Sequence, residues 1–161
     1  MAPEDTRLYT WMREWLESQP VGLAHLTERA ATKGEAAVFV MTPTRPGADA
    51  VTMWVGDEPD HLSAALGPHA WWDWRPLTPE FVATFCRAAS SGNSVEQTRT
   101  IGRYKVAHKI KLLLDDQAPL GWAQFSPFLW GPFPKWQSKH GVPWTERGVS
   151  SNNRLERQRH E

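Results

Sequence analysis

Residues 36–55 constrain the fold more than any other stretch of this chain. Ala36–Met41 (AAVFVM) is short, apolar and β-branched, the composition of a buried strand. A turn-rich run from Thr42 to Asp49 comes next, and then Val51, Met53 and Val55 alternate with Thr52 and Trp54. Alternation of period two describes a strand with two different faces. The segment therefore predicts an antiparallel pair joined by a loop, and any fold proposed for the chain must hold a sheet.

Around that pair the periodicity reads mainly as helix. Leu8, Trp11, Met12, Trp15 and Leu16 line one face of a helix from about Thr6 to Ser18, with Asp5 as its cap and Pro20 beyond its end. Leu23, Leu26, Ala30 and Ala31 mark a second, weaker helix, with Gly34 placed for a left-handed cap. Asp60 can cap a short helix over His61–Leu66, closed by Gly67 and Pro68. The run His69-Ala70-Trp71-Trp72-Asp73-Trp74-Arg75 suits either a strand or an aromatic-anchored loop; as a strand it puts Trp72 and Trp74 in the core and Trp71 at a wet edge. Thr78-Pro79-Glu80 opens a helix that reaches Ala89, with a hydroxyl cap, proline in the first turn and a carboxylate near the positive end. Ser94 with Gln97 three residues on has the pattern of a capping box.

Arg99–Leu114 carries both periods. Tyr104, Val106, His108, Ile110, Leu112 and Leu114 alternate with cations as in a strand, while Val106, Ile110, Leu113 and Leu114 also form a helical stripe. Its length and its leucines favour the helix. From Ala118 to Trp144 proline and aromatic residues without a stable period imply extended segments. The expectation is thus an α+β fold: two N-terminal helices, a small mainly antiparallel sheet, further helices, and an extended C-terminal region rich in aromatics and proline. Residues 1–144 would form one globular domain and 145–161 a polar, Arg-rich, flexible tail.

Composition narrows the function classes. Cys86 is the only cysteine, so an intrachain disulfide is excluded, and its apolar neighbours Phe81, Val82 and Phe85 suit a small buried side chain. The six histidines form no His-x-x-x-His pair, and neither a Walker loop, a dinucleotide-binding glycine pattern nor a Gly-x-Ser-x-Gly elbow occurs. The sequence points to no metal and no cofactor. No basic N-terminal segment precedes an apolar run, and no apolar stretch approaches the ~20 residues of a membrane span. A cytoplasmic protein that does not enter the membrane is the expectation.

Charge is where the chain is distinctive. Formal net charge is zero, yet residues 1–86 hold 6 Lys/Arg against 12 Asp/Glu while residues 87–161 hold 12 against 6. Each half creates its own field and would orient an encounter, including self-association of opposite halves at low ionic strength. Between Arg87 and Lys111 the chain carries Arg99, Arg103, Lys105 and Lys109 as well, against Glu96 alone. Cations that neutralise phosphates release counterions, and aromatic faces beside them can stack on unpaired bases.

Three functions emerge as expectations. The first is a non-enzymatic binding module whose basic half engages an anionic partner, nucleic acid or an acidic protein surface. Arg99, Arg103, Lys105, Lys109 and Lys111 would meet phosphates, and Trp122 or Trp130 would stack. The second is a protein-interaction module (an inhibitor, an immunity-type partner or an assembly subunit) using Trp71, Trp74, Trp136, Arg154 and Arg157. The third is an enzyme with a site around His61, His69, Asp73 and Cys86, for which the sequence supplies no mechanism.

Overall fold

Helix α1, Pro3–Glu17, lays Leu8 and Met12 inward with no exposed surface, as its periodicity requires. The computed structural model describes residues 3–29, 37–56, 58, 60–68, 70–115, 118–125 and 135–145, the side chains of Trp74 and Phe125 excepted. Asp5 is not the cap. It lies inside the first turn of α1 and is buried, near the helix end where the macrodipole favours a carboxylate.

Five strands come next in simple meander order: β1 (Ala24–Arg29), β2 (Val38–Pro43), β3 (Val51–Val55), β4 (His61–Leu66) and β5 (Ala70–Pro76), each antiparallel to its successor. One face of this first sheet is apolar and buried, with Phe39, Met41, Val51, Met53, Leu62, Ala64, Leu66 and Trp72 all turned toward the helices. Helix α2, Pro79–Ser90, supplies the other side of that core. Thr78 caps it by accepting from the Phe81 amide, and Val82, Phe85 and Cys86 are fully buried. Tyr9 packs on Phe39 and Trp72 meets Phe85 edge-on.

A second antiparallel sheet is built from strands β6 (Ser94–Ile101), β7 (Tyr104–Leu112), β8 (Leu120–Phe125) and β9 (Gln137–His140) in the order β8-β7-β6-β9. Its Leu112 and Leu120, with Leu114 beyond β7, join the same buried cluster as the first sheet and both helices. Trp72 Nε1 donates across to the Gly121 carbonyl at 2.8 Å. After β9 the chain returns to the first sheet: Arg45 donates to the carbonyls of Pro143 and Thr145, and buried Trp144 donates to the Asp49 carbonyl.

The protein is therefore mostly β, with two antiparallel sheets and two helices among the described residues, and the α+β expectation is overturned. The first part of the second helix expected after Leu23 is β1, whose hydrogen bonds go to β2 through the pairs His25–Thr42 to Arg29–Val38, while Ala30, Ala31 and Gly34 lie outside the described residues. The helix expected at His61–Leu66 is β4. Its alanines and leucines favour helix, but Leu62, Ala64 and Leu66 point to one side, and pairing with both β3 and β5 overrides propensity. The capping box at Ser94 and the helix at Arg99–Leu114 are instead the hairpin β6–β7, turned at Gly102 with φ of 57°. Residues 146–161, most of the expected tail, lie outside the described residues.

Candidate functional site

Strand alternation sorts the charges of the second sheet. Leu112, Ile110 and His108 on β7 lie across from Ser94, Glu96 and Thr98 on β6, and from Leu120, Trp122 and Gln124 on β8. This side faces the core, since Leu112, Leu120 and His108 are buried. The opposite side carries Lys111, Lys109 and Ala107 on β7 with Val95, Gln97 and Arg99 on β6. Gly121 and Ala123 of β8 lie beside them.

Trp136 completes that outward side. Gln137 of β9 pairs with Thr98, so the residue before it comes alongside Arg99. Arg99 Cζ lies 4.4 Å and Lys109 Nζ 4.5 Å from the Trp136 ring centroid, within cation–π range. Among the described residues no carboxylate lies on this face; the Asp/Glu residue of β6, Glu96, points the other way.

A β-bulge changes the assignment near the hairpin tip. Arg99 pairs with Ala107 but Thr100 pairs with Lys105, so Val106 is the extra residue and the parity of β7 switches there. Lys105 accordingly leaves the basic face and reaches Glu96 Oε1 at 3.7 Å, the same oxygen that His108 Nε2 meets at 2.7 Å. Tyr104 moves the opposite way. It pairs with Ile101 on the side of Arg99, is 65% exposed, and has Arg103 Cζ 5.4 Å from its ring centroid.

The structure thus gathers Arg99, Lys109 and Lys111 with Trp136, which the sequence had placed among the protein-interaction residues, and sets Arg103 at the tip. Trp122 lies on the inward side, its ring 5.4 Å from His108 and 5.7 Å from half-exposed Trp71. Trp130, Arg154, Arg157 and the side chain of Trp74 fall outside the described residues. Tyr104, an aromatic that the sequence sets beside the basic segment, is brought onto this face by the bulge and by the two-residue turn Gly102-Arg103.

The described residues of the enzyme reading lie on three different elements, His61 on β4, Asp73 on β5 and Cys86 on α2. Cys86 is buried in α2, where burial raises its thiol pKa far above the ordinary range, while Asp73 is exposed on β5 and His61 Nδ1 pairs with Glu58 at 3.1 Å. His69 is outside the described residues. No group of three or more potential metal ligands occurs among the described residues. A shallow polar cleft of about 40 Å³ is lined by Asp49, Ser94, Glu96, Lys139 and His140. Within it burial raises the Asp49 pKa, a shift that Lys139 opposes and Glu96 reinforces. Comparison of the chain with protein-family models, with curated proteins and with solved structures finds no match.

Proposed function

We propose that the outward side of β6–β9 is a binding surface for an anionic partner, nucleic acid before all others, and that the protein acts as a binding module in the cytoplasm. One observation carries this reading: Arg99, Lys109 and Lys111 share a face with Trp136, with two of the cations within 4.5 Å of its ring centroid. The antiparallel sheet holds their backbones at fixed spacing, and the Trp136 ring holds the Arg99 and Lys109 head groups, which lowers the ordering cost of those two on binding.

The test is salt-dependent binding of a labelled single-stranded oligonucleotide. With Arg99, Arg103, Lys109 and Lys111 each on a phosphate, the single-strand slope of about −0.7 per cation gives about −2.8 in total. Affinity then falls about 50-fold between ~50 and ~200 mM salt. Lys109→Glu with Lys111→Glu abolishes binding, while Arg13→Glu on α1 leaves it intact. Retention that ignores both salt and these substitutions would refute the proposal.

Half-exposed Trp71, packed on Trp122, supports a second reading as a protein-interaction module. A stoichiometric protein partner captured from the native host, stable to nuclease and high salt and lost with Trp71→Ala, would favour it over the first.

A further inference from the structure

Resting on the nucleic-acid reading, we infer that the ligand is an unpaired strand and that Tyr104 is the residue that stacks one of its bases. Tyr104 is 65% exposed and its cross-strand partner Ile101 is 43% exposed, so the fold buries neither ring nor alkyl group at the hairpin tip. Without the bulge at Val106, Tyr104 would sit on the inward side with His108. The extra residue turns it onto the face of Arg99, Lys109 and Lys111 and sends Lys105 inward to Glu96. Bulges re-aim side chains in this way beside functional surfaces.

The other aromatic of this face is already engaged, since Trp136 has both Arg99 and Lys109 on its ring. Tyr104 has Arg103 near one side, and Arg103 is itself exposed at the turn and able to track a phosphate. The stripe from Lys111 to Tyr104 covers all but the last residue of β7, about 24 Å at ~3.4 Å per step. That length suits a strand of a few nucleotides, the low end of the roughly 4–16 that small β-domains cover. A duplex keeps its bases stacked on one another and offers this face phosphates only. An aromatic at the end of a phosphate track therefore discriminates in favour of unpaired bases.

The experiment compares oligo(dT), a matched DNA duplex and heparin against the full chain and its Tyr104→Ala and Tyr104→Phe variants, with thermal melts confirming the fold. Tyr104→Ala weakens oligo(dT) binding about tenfold, with the salt slope unchanged because no cation is lost, and leaves heparin binding as it was. Tyr104→Phe retains the wild-type affinity. Oligo(dT) affinity unmoved by Tyr104→Ala, equal losses on heparin and oligo(dT), or tighter binding of the duplex by the wild-type chain would each overturn the inference while leaving the polyanion surface standing. Failure of the wild-type chain to bind any of the three ligands would instead remove the reading on which it rests.

Discussion

Truncation of Trp144 tests whether the segment after β9 is part of the core, and with it the placement of Trp136. Among the described residues strand β9 pairs with β6 alone, and all four of its side chains are exposed, so burial does not hold it. The residues just beyond it do. Gly141 N donates to the Ser94 carbonyl, Trp144 N to the Ser90 carbonyl at 2.8 Å, and the Trp144 indole, 3% exposed, stands edge-on to Trp15. Removing a buried indole leaves a cavity as well as losing its transfer free energy, and Trp→Ala in a core costs about 3–5 kcal/mol. For a chain of this size each kcal/mol moves Tm by about 2–4 °C, so Trp144→Ala lowers Tm by roughly 10 °C. Trp144→Phe fills most of the space and loses the hydrogen bond to the Asp49 carbonyl, a net loss of about 1–2 kcal/mol. Urea denaturation gives the two values, and amide exchange of Gln137–His140 reports whether β9 loosens with them. A loss below about 1 kcal/mol for Trp144→Ala, below the usual range for a core truncation, would refute the claim that this segment closes on the core.

Two further outcomes concern the same junction. Gly92 adopts φ of 69° and a Cβ there would lie 2.7 Å from Pro143 N and 2.8 Å from the Gly141 carbonyl oxygen, so Gly92→Ala destabilises by roughly 2 kcal/mol or more in urea denaturation. Combined with Trp144→Ala the loss is less than the sum, because both act on residues 141–145. Asp49 is a pH-sensitive group: burial raises its folded pKa above that of an ordinary aspartate, so the folded state binds the proton more tightly than the unfolded chain. Stability therefore falls as pH rises from the unfolded pKa through the folded one, and Asp49→Asn, tracked by urea midpoints across that window, flattens the decline and leaves the protein at least as stable at neutral pH.

Much of the fold was legible wherever local pattern and tertiary pairing agree. The β2–β3 pair and α2 with its Thr78 cap stand where the periodicity and capping chemistry placed them, and α1 stands where the periodicity placed it but begins ahead of the expected Asp5 cap. Trp72 is buried and Trp71 half exposed, as strand alternation at the tryptophan cluster implies. The segments misread as helix share one trait, a sequence whose local preference is weaker than the pairing it meets. In β1 and β4 the hydrogen bonds come from neighbours in the sheet, which single-segment periodicity does not contain. In β7 the bulge at Val106 interrupts the alternation, so the strand pattern loses its regularity where a helical stripe can be drawn through it. The site was legible as a list of cations but not as a surface. Which cations share a face depends on that bulge, and the proximity of Trp136 to Arg99 depends on the β6–β9 register, set by residues far apart in the chain.

A pI of about 7.0 does not weigh against a polyanion ligand, because net charge is not the quantity a ligand meets. The salt bridges Arg87–Asp115 and Lys105–Glu96 are both internal to the second half, so that half answers some of its own positive charge. Glu96 points inward, where Lys105 and His108 share one of its oxygens, while Arg99, Lys109 and Lys111 point outward. Period two places Glu96 on one side and Arg99, Lys109 and Lys111 on the other, while the bulge at Val106 turns Lys105 to the side of Glu96. At physiological ionic strength fields decay over about 8 Å. A phosphate approaching the outward face is therefore governed by the few cations within that distance and hardly by acids beyond the core. Segregation by strand parity, rather than an excess of basic residues, is what lets a neutral chain present a positive surface.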